Sequence, residues 1–219
     1  MLGTKNNKGL MINAIFEILQ LLKKKDNKNL KIKISFIEAH NEILRDLLSK
    51  GNIVEIQEKE EGVFLKDVKE IEPEVCDIFS ILSSGNNYRT KSHSNINLIS
   101  SNSHGILRIQ LYNKDKRISG QLIMVDLACS ENNISNSEKN KIKSLLNLKV
   151  CINEFSSKNI FIPWEKSKLT MILNDCFKDE KSKFVWITTI SPSKYNIDET
   201  VNNLFYSEKI EEGQSIKKK

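Results

Sequence analysis

Proline and glycine are scarce. Three prolines and eight glycines in 219 residues exclude a collagen-like or Pro/Gly-rich disordered chain. Four cysteines, Cys76, Cys129, Cys151 and Cys176, are scattered with no CxxC spacing. That excludes a disulfide framework and a zinc ribbon, and reads as reduced, intracellular thiols. His40, His93 and His104 are too dispersed for a metal cluster. No stretch approaches the roughly 18 apolar residues of a membrane span, and MLGTKNNKG at the start lacks the apolar core of a signal peptide. No GxxxxGK[ST] occurs, so the loop that cradles phosphates with backbone N–H groups and a lysine is missing. Aromatic residues make up 7% and are not interleaved with the lysines. With no RRM, KH or helix-turn-helix pattern, a nucleic-acid-binding module is the weaker reading.

What is abundant is lysine and asparagine. The net charge is +6 and the pI about 9.0, which favours an acidic partner. A 25.2 kDa chain suits one domain with a sizeable core. Met11, Ala14, Ile15, Ile18, Leu21 and Leu22 recur at helical spacing and predict a helix over roughly 10–24. KIKISFIE at 31–38 alternates as a strand. Ile43, Leu44, Leu47 and Leu48 suggest a short helix, and 51–64 a hairpin turning at 60–62. Val68, Ile71, Val75, Ile78 and Leu82 keep a 3-4 rhythm that predicts a helix over 67–82 despite Pro73.

Residues 83–103 are polar and rich in Ser and Asn, a linker by composition alone. A strand through Leu107, Ile109 and Leu111, a turn at 113–117 and a strand at 121–126 form an antiparallel pair. Helices are expected over 139–155, 167–177 and 198–210, and a buried strand at 184–190, FVWITTI. The class is α/β, a central mostly parallel or mixed sheet flanked by helices.

The chain is organised around GQLIMVDLACSE at 120–131. Leu122 to Val125 read as a strand buried on both faces, ending in Asp126. A carboxylate at a strand end sits where α/β sheets bind ligands. Small residues at 128–130 let a backbone pass close to a ligand, and Glu131 adds a second acid.

Six pieces, in order, resemble kinesin motor domains. VDLACSE resembles the switch II element VDLAGSE, and NLISSNSH at 97–104 resembles switch I, NxxSSRSH. IPWEKSKLTMIL at 162–173 resembles IPYRDSKLTRLL, and SPSKYNIDETVNNLFYSEK at 191–209 resembles SPxxxNxxETxxTLxYAxRAK. KIKISFIEAHNEILRDLL at 31–48 resembles the family's strand–helix, and MLGTKNNKGLMINAIFEIL the helix entered after the phosphate loop. The resemblance covers nearly the whole chain and implies a kinesin-type fold whose first strands and phosphate loop fall outside these residues. It places a partial motor domain at 1–211 and a basic tail or the start of a neck at 212–219.

By that resemblance Asn97, Ser100, Ser101, Asp126 and Cys129 bind the nucleotide, ATP. Ser101 and Asp126 hold Mg2+, and Ser101, Ser103 and Glu131 serve hydrolysis, which depends on positioning and charge more than covalent chemistry. The implied partner is the microtubule, met by Lys141, Lys143, Lys149, Lys158, Lys166 and Lys168, with self-association left to regions outside this chain. The implied location is the cytoplasmic microtubule cytoskeleton.

Two departures bear on activity. Cys129 stands where the family has Gly, adding a Cβ where a backbone approaches phosphate. Asn102 stands where it has the Arg that pairs with the switch II Glu, and cannot supply a charged fork. The sequence therefore leaves two readings open, a motor segment inactive by itself or a microtubule-binding pseudomotor without hydrolysis.

Overall fold

The computed structural model describes residues 1–24, 27, 29–59, 62–74, 77–89, 103–115, 117–128, 139–157, 161–179 and 181–217. The elements run α1 (Leu10–Leu22), β1 (Lys31–His40), β2 (Ile43–Asp46), β3 (Asn52–Lys59), β4 (Gly62–Lys66), α2 (Ile78–Asn86), β5 (His104–Tyr112), β6 (Ile118–Asp126), α3 (Lys139–Ser156), α4 (Lys168–Lys178) and α5 (Ile197–Lys217). The sheet order is β4-β3-β2-β1-β5-β6. Two compact units divide the chain, residues 1–55 with 65–129, and residues 56–64 with 130–219.

The first unit is built around β1 and β5. Their antiparallel register runs from Lys31 opposite Tyr112 to Ala39 opposite His104. Alternation sends Ile32, Ile34, Phe36, Leu107 and Ile109 to one face. There they meet Met11, Ile12 and Ile15 of α1 and Ile78 and Leu82 of α2 in one buried cluster. Burying each such side chain is worth about 1.5–3 kcal/mol, so this cluster dominates the unit's stability.

The α/β class stands, but strand direction differs from expectation. Every pairing with a resolved register, β1 with β2 and β5, β2 with β3, and β5 with β6, is antiparallel. For β1–β2, β2–β3 and β5–β6 the short connections are the reason, because parallel strands need long crossovers. Asn41 and Glu42 both take positive φ, 51° and 62°. That makes a type I′ hairpin turn and converts the short helix expected at 43–48 into β2 followed by a 3-10 turn at Leu47–Ser49. The turn after β5 is closed by Asn113, whose backbone and side chain both bond Arg117.

The helix expected over 67–82 forms only from Ile78. Pro73 disfavours helix at the residue before it, and the backbone upstream is already used. Ile71 exchanges two hydrogen bonds with Ile34, at 2.9 and 3.0 Å, while Glu70 and Glu72 pair with Lys33 and Lys31. Asp46, fully buried, ties this segment down. Its two carboxylate oxygens accept from the Leu48 N–H at 2.8 Å and the Lys69 N–H at 2.7 Å.

β6 is the edge of the sheet rather than its centre. None of its residues is fully buried, and Leu122 is exposed.

In the second unit α3, the turn before α4 and α4 pack through aromatic rings. Phe177 lies against Trp164 at 4.5 Å and Phe184 at 4.4 Å, and meets Phe155 edge-on at 5.2 Å. Ser167 caps α4 by accepting from the Thr170 N–H. The last helix runs past 210 to Lys217, and Gly213 in its final turns lies where a Cβ would strike the Phe155 ring. The expected buried strand at 184–190 joins no sheet among the described residues, and Val185, Ile187 and Ile190 are exposed. Its sequence suits burial on both faces, yet Phe184, Trp186 and Thr188 are only half-buried.

Candidate functional site

The site lies where β5 begins and β6 ends. Their register sets Gly105 opposite Asp126, so the last residue of the LIMVD strand and the SH dipeptide before β5 become neighbours. Sequence reading expected these two stretches to converge, and they bond directly. The Ala128 N–H donates to His104 Nδ1 at 3.0 Å. His104 is buried and receives that proton on Nδ1, so the neutral ring carries its own hydrogen on Nε2. It thus works as a strut between the two segments.

The centre of the junction is Arg89, which sequence reading did not single out. Its side chain is 2% exposed. Nη1 donates to Asp126 Oδ2 at 3.0 Å and to Asn86 Oδ1 at 3.4 Å. Nη2 donates to the Ser103 carbonyl at 2.6 Å, and Nε to Ser103 Oγ at 3.4 Å. A planar fork of five donors can bind a carboxylate, an amide, a hydroxyl and a carbonyl at once; a lysine cannot. Gly105 makes room, since a Cβ there would meet Nη1 at 3.1 Å and Cζ at 3.2 Å. Both residues had a signal in the sequence. Arg89 is one of four arginines in a lysine-rich chain, and Gly105 is the one glycine of β5.

Ser103 is fully buried, whereas the Asp126 side chain is 32% exposed. Asp126 therefore faces both Arg89 and solvent. Among the described residues no group of three or more His, Cys, Asp or Glu could hold a metal ion. One half-exposed carboxylate beside a serine suits Mg2+ all the same. That ion keeps several waters and takes one or two protein oxygens together with substrate phosphates. Asn97, Ser100, Ser101, Cys129 and Glu131 lie outside the described residues. A groove of about 520 Å³ runs along α2, lined by Leu48, Lys50, Lys69, Ile71, Ser80 and Tyr88 among others. It does not include Arg89, Ser103 or Asp126.

The expected basic face belongs to the second unit. On α3 Ser144, Leu148, Cys151, Ile152 and Phe155 are buried, while Lys143 is exposed and Lys149 half-buried. The Lys149 ammonium lies over the Tyr206 ring at 4.7 Å, which leaves it less available to a partner than Lys143. Lys166 is exposed in the turn before α4 and Lys168, at its start, is half-buried. Asn147 holds that turn to α3 by donating to the Lys166 carbonyl at 2.9 Å. Thr170 holds it to α4 by donating to the Trp164 carbonyl at 2.6 Å. Trp164 is buried. The Lys141 side chain and Lys158 lie outside the described residues.

Burial pushes the Cys151 thiol up to about 11, with the Glu165 charge acting the same way. Burial also raises Tyr112, followed by Glu70.

Comparison with known proteins bears on this arrangement. The family model described as the kinesin motor domain matches residues 1–212. The kinesin-like protein KIN-8A of Arabidopsis thaliana is 31% identical over 97% of this chain and 31% of its own length. The mouse kinesin-like protein KIF18A is 29% identical over 98% of this chain and 26% of its own length. The chain thus spans about a third or less of these relatives. Among solved structures, the motor domain of the Saccharomyces cerevisiae kinesin-related protein Kar3 superposes with a TM-score of 0.77 at 30% identity. That match covers 96% of this chain and 69% of that one. Among the described residues no helix is long and apolar enough to cross a membrane.

Proposed function

The chain belongs to the kinesin motor domain family, and on that premise we propose that it is the switch-bearing and microtubule-facing part of a motor. By itself it docks on microtubules and turns over ATP poorly or not at all. The observation that carries the reading is the α3–turn–α4 module. Its inner face is buried and its turn is pinned by Asn147 and Thr170, while Lys143 and Lys166 point outward. Surface ammonium groups on a rigid frame attract an acidic lattice such as tubulin at long range, and the attraction falls with salt.

On the nucleotide side, Ser103, Asp126 and Arg89 form a junction suited to sensing phosphate-bound Mg2+. Asn97, Ser100, Ser101, Cys129 and Glu131 are proposed to complete it. Mg2+ would neutralise phosphate charge and orient the triphosphate. The residues present orient Asp126 through Arg89 and hold the two strand ends together through His104. None of these 219 residues forms a GxxxxGK[ST] loop, so nothing in them grips the β- and γ-phosphates. Cys129 and Asn102 weaken the switches further. Low turnover and intact docking fit this set of residues.

Co-sedimentation with microtubules tests the reading. Binding is expected at low ionic strength, falling steeply by about 0.2 M salt and equal with ATP, ADP or no nucleotide. Lys143→Ala with Lys166→Ala should weaken it several-fold. Absence of pelleting at low salt refutes the docking claim, and microtubule-stimulated hydrolysis by the 219 residues refutes the claim of low turnover.

A further inference from the structure

α2 presents two different faces. Ile78 and Leu82 are buried in the cluster with Met11, Ile12 and Ile15 of α1. A second stripe, Ser80, Ile81 and Ser84, lies about a third of a turn round. It is continued by Tyr88, whose N–H bonds the Gly85 carbonyl at 2.9 Å. This stripe is one wall of the groove of about 520 Å³, and Leu48, Lys50, Lys69 and Ile71 are the other. That volume falls within the range of small-molecule sites, about 300–1,000 Å³. Leu48, Ile71 and Ile81 are half-buried and give an apolar floor, while Lys50, Lys69, Ser80, Ser84 and Tyr88 are exposed along the rim.

The second wall is rigid at its base. The Asp46 carboxylate accepts from the Leu48 and Lys69 N–H groups, and the Asp46 carbonyl from the Gly51 N–H at 2.8 Å. One buried residue therefore anchors both segments that carry the rim lysines. Lys50 has φ 57° and ψ 27°, a left-handed conformation that suits glycine and costs a lysine energy. An ammonium group kept at such a position points to use rather than to backbone preference. The charges are laid out for an anion. Lys31, Lys33 and Lys66 each have a carboxylate within 3.2–3.7 Å. Glu70 and Glu72 reach Lys33 and Lys31 on one side of their segment, whereas the alternating residues Lys69 and Ile71 line the groove. Among the described residues Lys50 and Lys69 make no ion pair. Asp77, beside the N-terminus of α2, is the carboxylate in the lining and pairs with neither.

We propose that this groove binds a small aromatic monoanion. Its carboxylate or sulfonate is met by Lys50 and Lys69, and its ring lies on Leu48, Ile71 and Ile81 beside the Tyr88 ring. The apolar floor takes up the ring, and the two ammonium groups add an attraction that a neutral ring lacks and that salt weakens. Asp77 repels a second negative charge on the ligand, which restricts the class to monoanions. Ser80, Ser84 and the Tyr88 hydroxyl supply hydrogen-bonding groups along the rim. The site does not depend on nucleotide or microtubule binding.

Titrating 2-naphthalenesulfonate into the nitrogen-15-labelled chain, with amide shifts as the readout, tests it. The amides of Leu48, Lys50, Lys69, Ile81, Ser84 and Tyr88 should shift together and saturate with a Kd on the order of 1 mM, the affinity expected of a ligand of this size. The neutral isostere 2-naphthalenemethanol should bind at least about fivefold more weakly, and so should the sulfonate to Lys50→Gly/Lys69→Ala. Glycine suits the left-handed position, so Lys50→Gly alone should keep the urea midpoint of the parent while losing affinity. Asp77→Asn should bind the sulfonate about twofold more tightly, and Ser84→Trp, which fills the groove, should abolish the shifts. Absence of saturable shifts up to about 10 mM, equal binding of the neutral isostere, affinity unchanged in the lysine variant, or shifts centred on other residues would each overturn the proposal. Saturation of the same amides by an acidic apolar peptide, with no response to the sulfonate, would assign the groove to a protein partner and also overturn it.

Discussion

Replacing Arg89 by alanine should destabilise the first unit by about 3 kcal/mol. The figure comes from two bonds and their surroundings. The Nη1–Asp126 contact is charge-assisted, but the Asp126 side chain is 32% exposed. Screening by water leaves it worth about 1–2 kcal/mol. Losing the 2.6 Å bond from Nη2 strands the carbonyl of Ser103, a fully buried residue, at a cost of about 1–3 kcal/mol. The 3.4 Å contacts to Asn86 and Ser103 Oγ add little.

Asp126→Asn keeps an acceptor and should cost about 1 kcal/mol. Arg89→Lys, which keeps the charge but loses the fork, should fall between the two. Urea denaturation of the three variants and of the double variant Arg89→Ala/Asp126→Asn gives each loss, and a coupling of about 1 kcal/mol is expected. An unchanged m-value would show that the loss belongs to the folded state. A loss below about 1 kcal/mol for Arg89→Ala, or a larger loss for Asp126→Asn, would refute the claim that Arg89 is the centre of the junction.

Two further outcomes follow from other parts of the molecule. Asp46→Ala removes the acceptor of two short backbone bonds at a buried site and should cost about 3–5 kcal/mol, with Asp46→Asn losing about half as much; a urea midpoint unchanged by either would contradict the bracing role. The Cys151 thiol, raised to about 11 from 9.0, should resist a disulfide reagent at pH 8 in the folded chain. A raised thiol favours the folded state only while protonated, so its contribution is complete below pH 9 and is lost as pH rises towards 11. The fall in urea midpoint between pH 8.5 and 10.5 should therefore be smaller in Cys151→Ala, and an identical fall would exclude the effect.

Period and motif were enough to read α1, β1, the β3–β4 hairpin, the β5–β6 pair and the three C-terminal helices, because each buries one stripe or one face and the apolar residues mark it. Local order also sufficed to recognise the two segments that meet at Asp126 and the lysines along α3 and α4. The misread elements were those in which two patterns competed. Ile43–Leu48 and 67–77 carry helix-like spacing, but a two-residue turn at Asn41–Glu42 and the pairing of Ile71 with Ile34 use their backbone groups otherwise.

Only the tertiary structure decided that Arg89 bridges Asp126 and Ser103, since no spacing in the chain links residues 89, 103 and 126. It also decided that β6 lies at the edge of the sheet and that 184–190 joins no sheet among the described residues. Apolar composition records how much surface a strand must bury, whereas its neighbours in space determine whether that surface is covered.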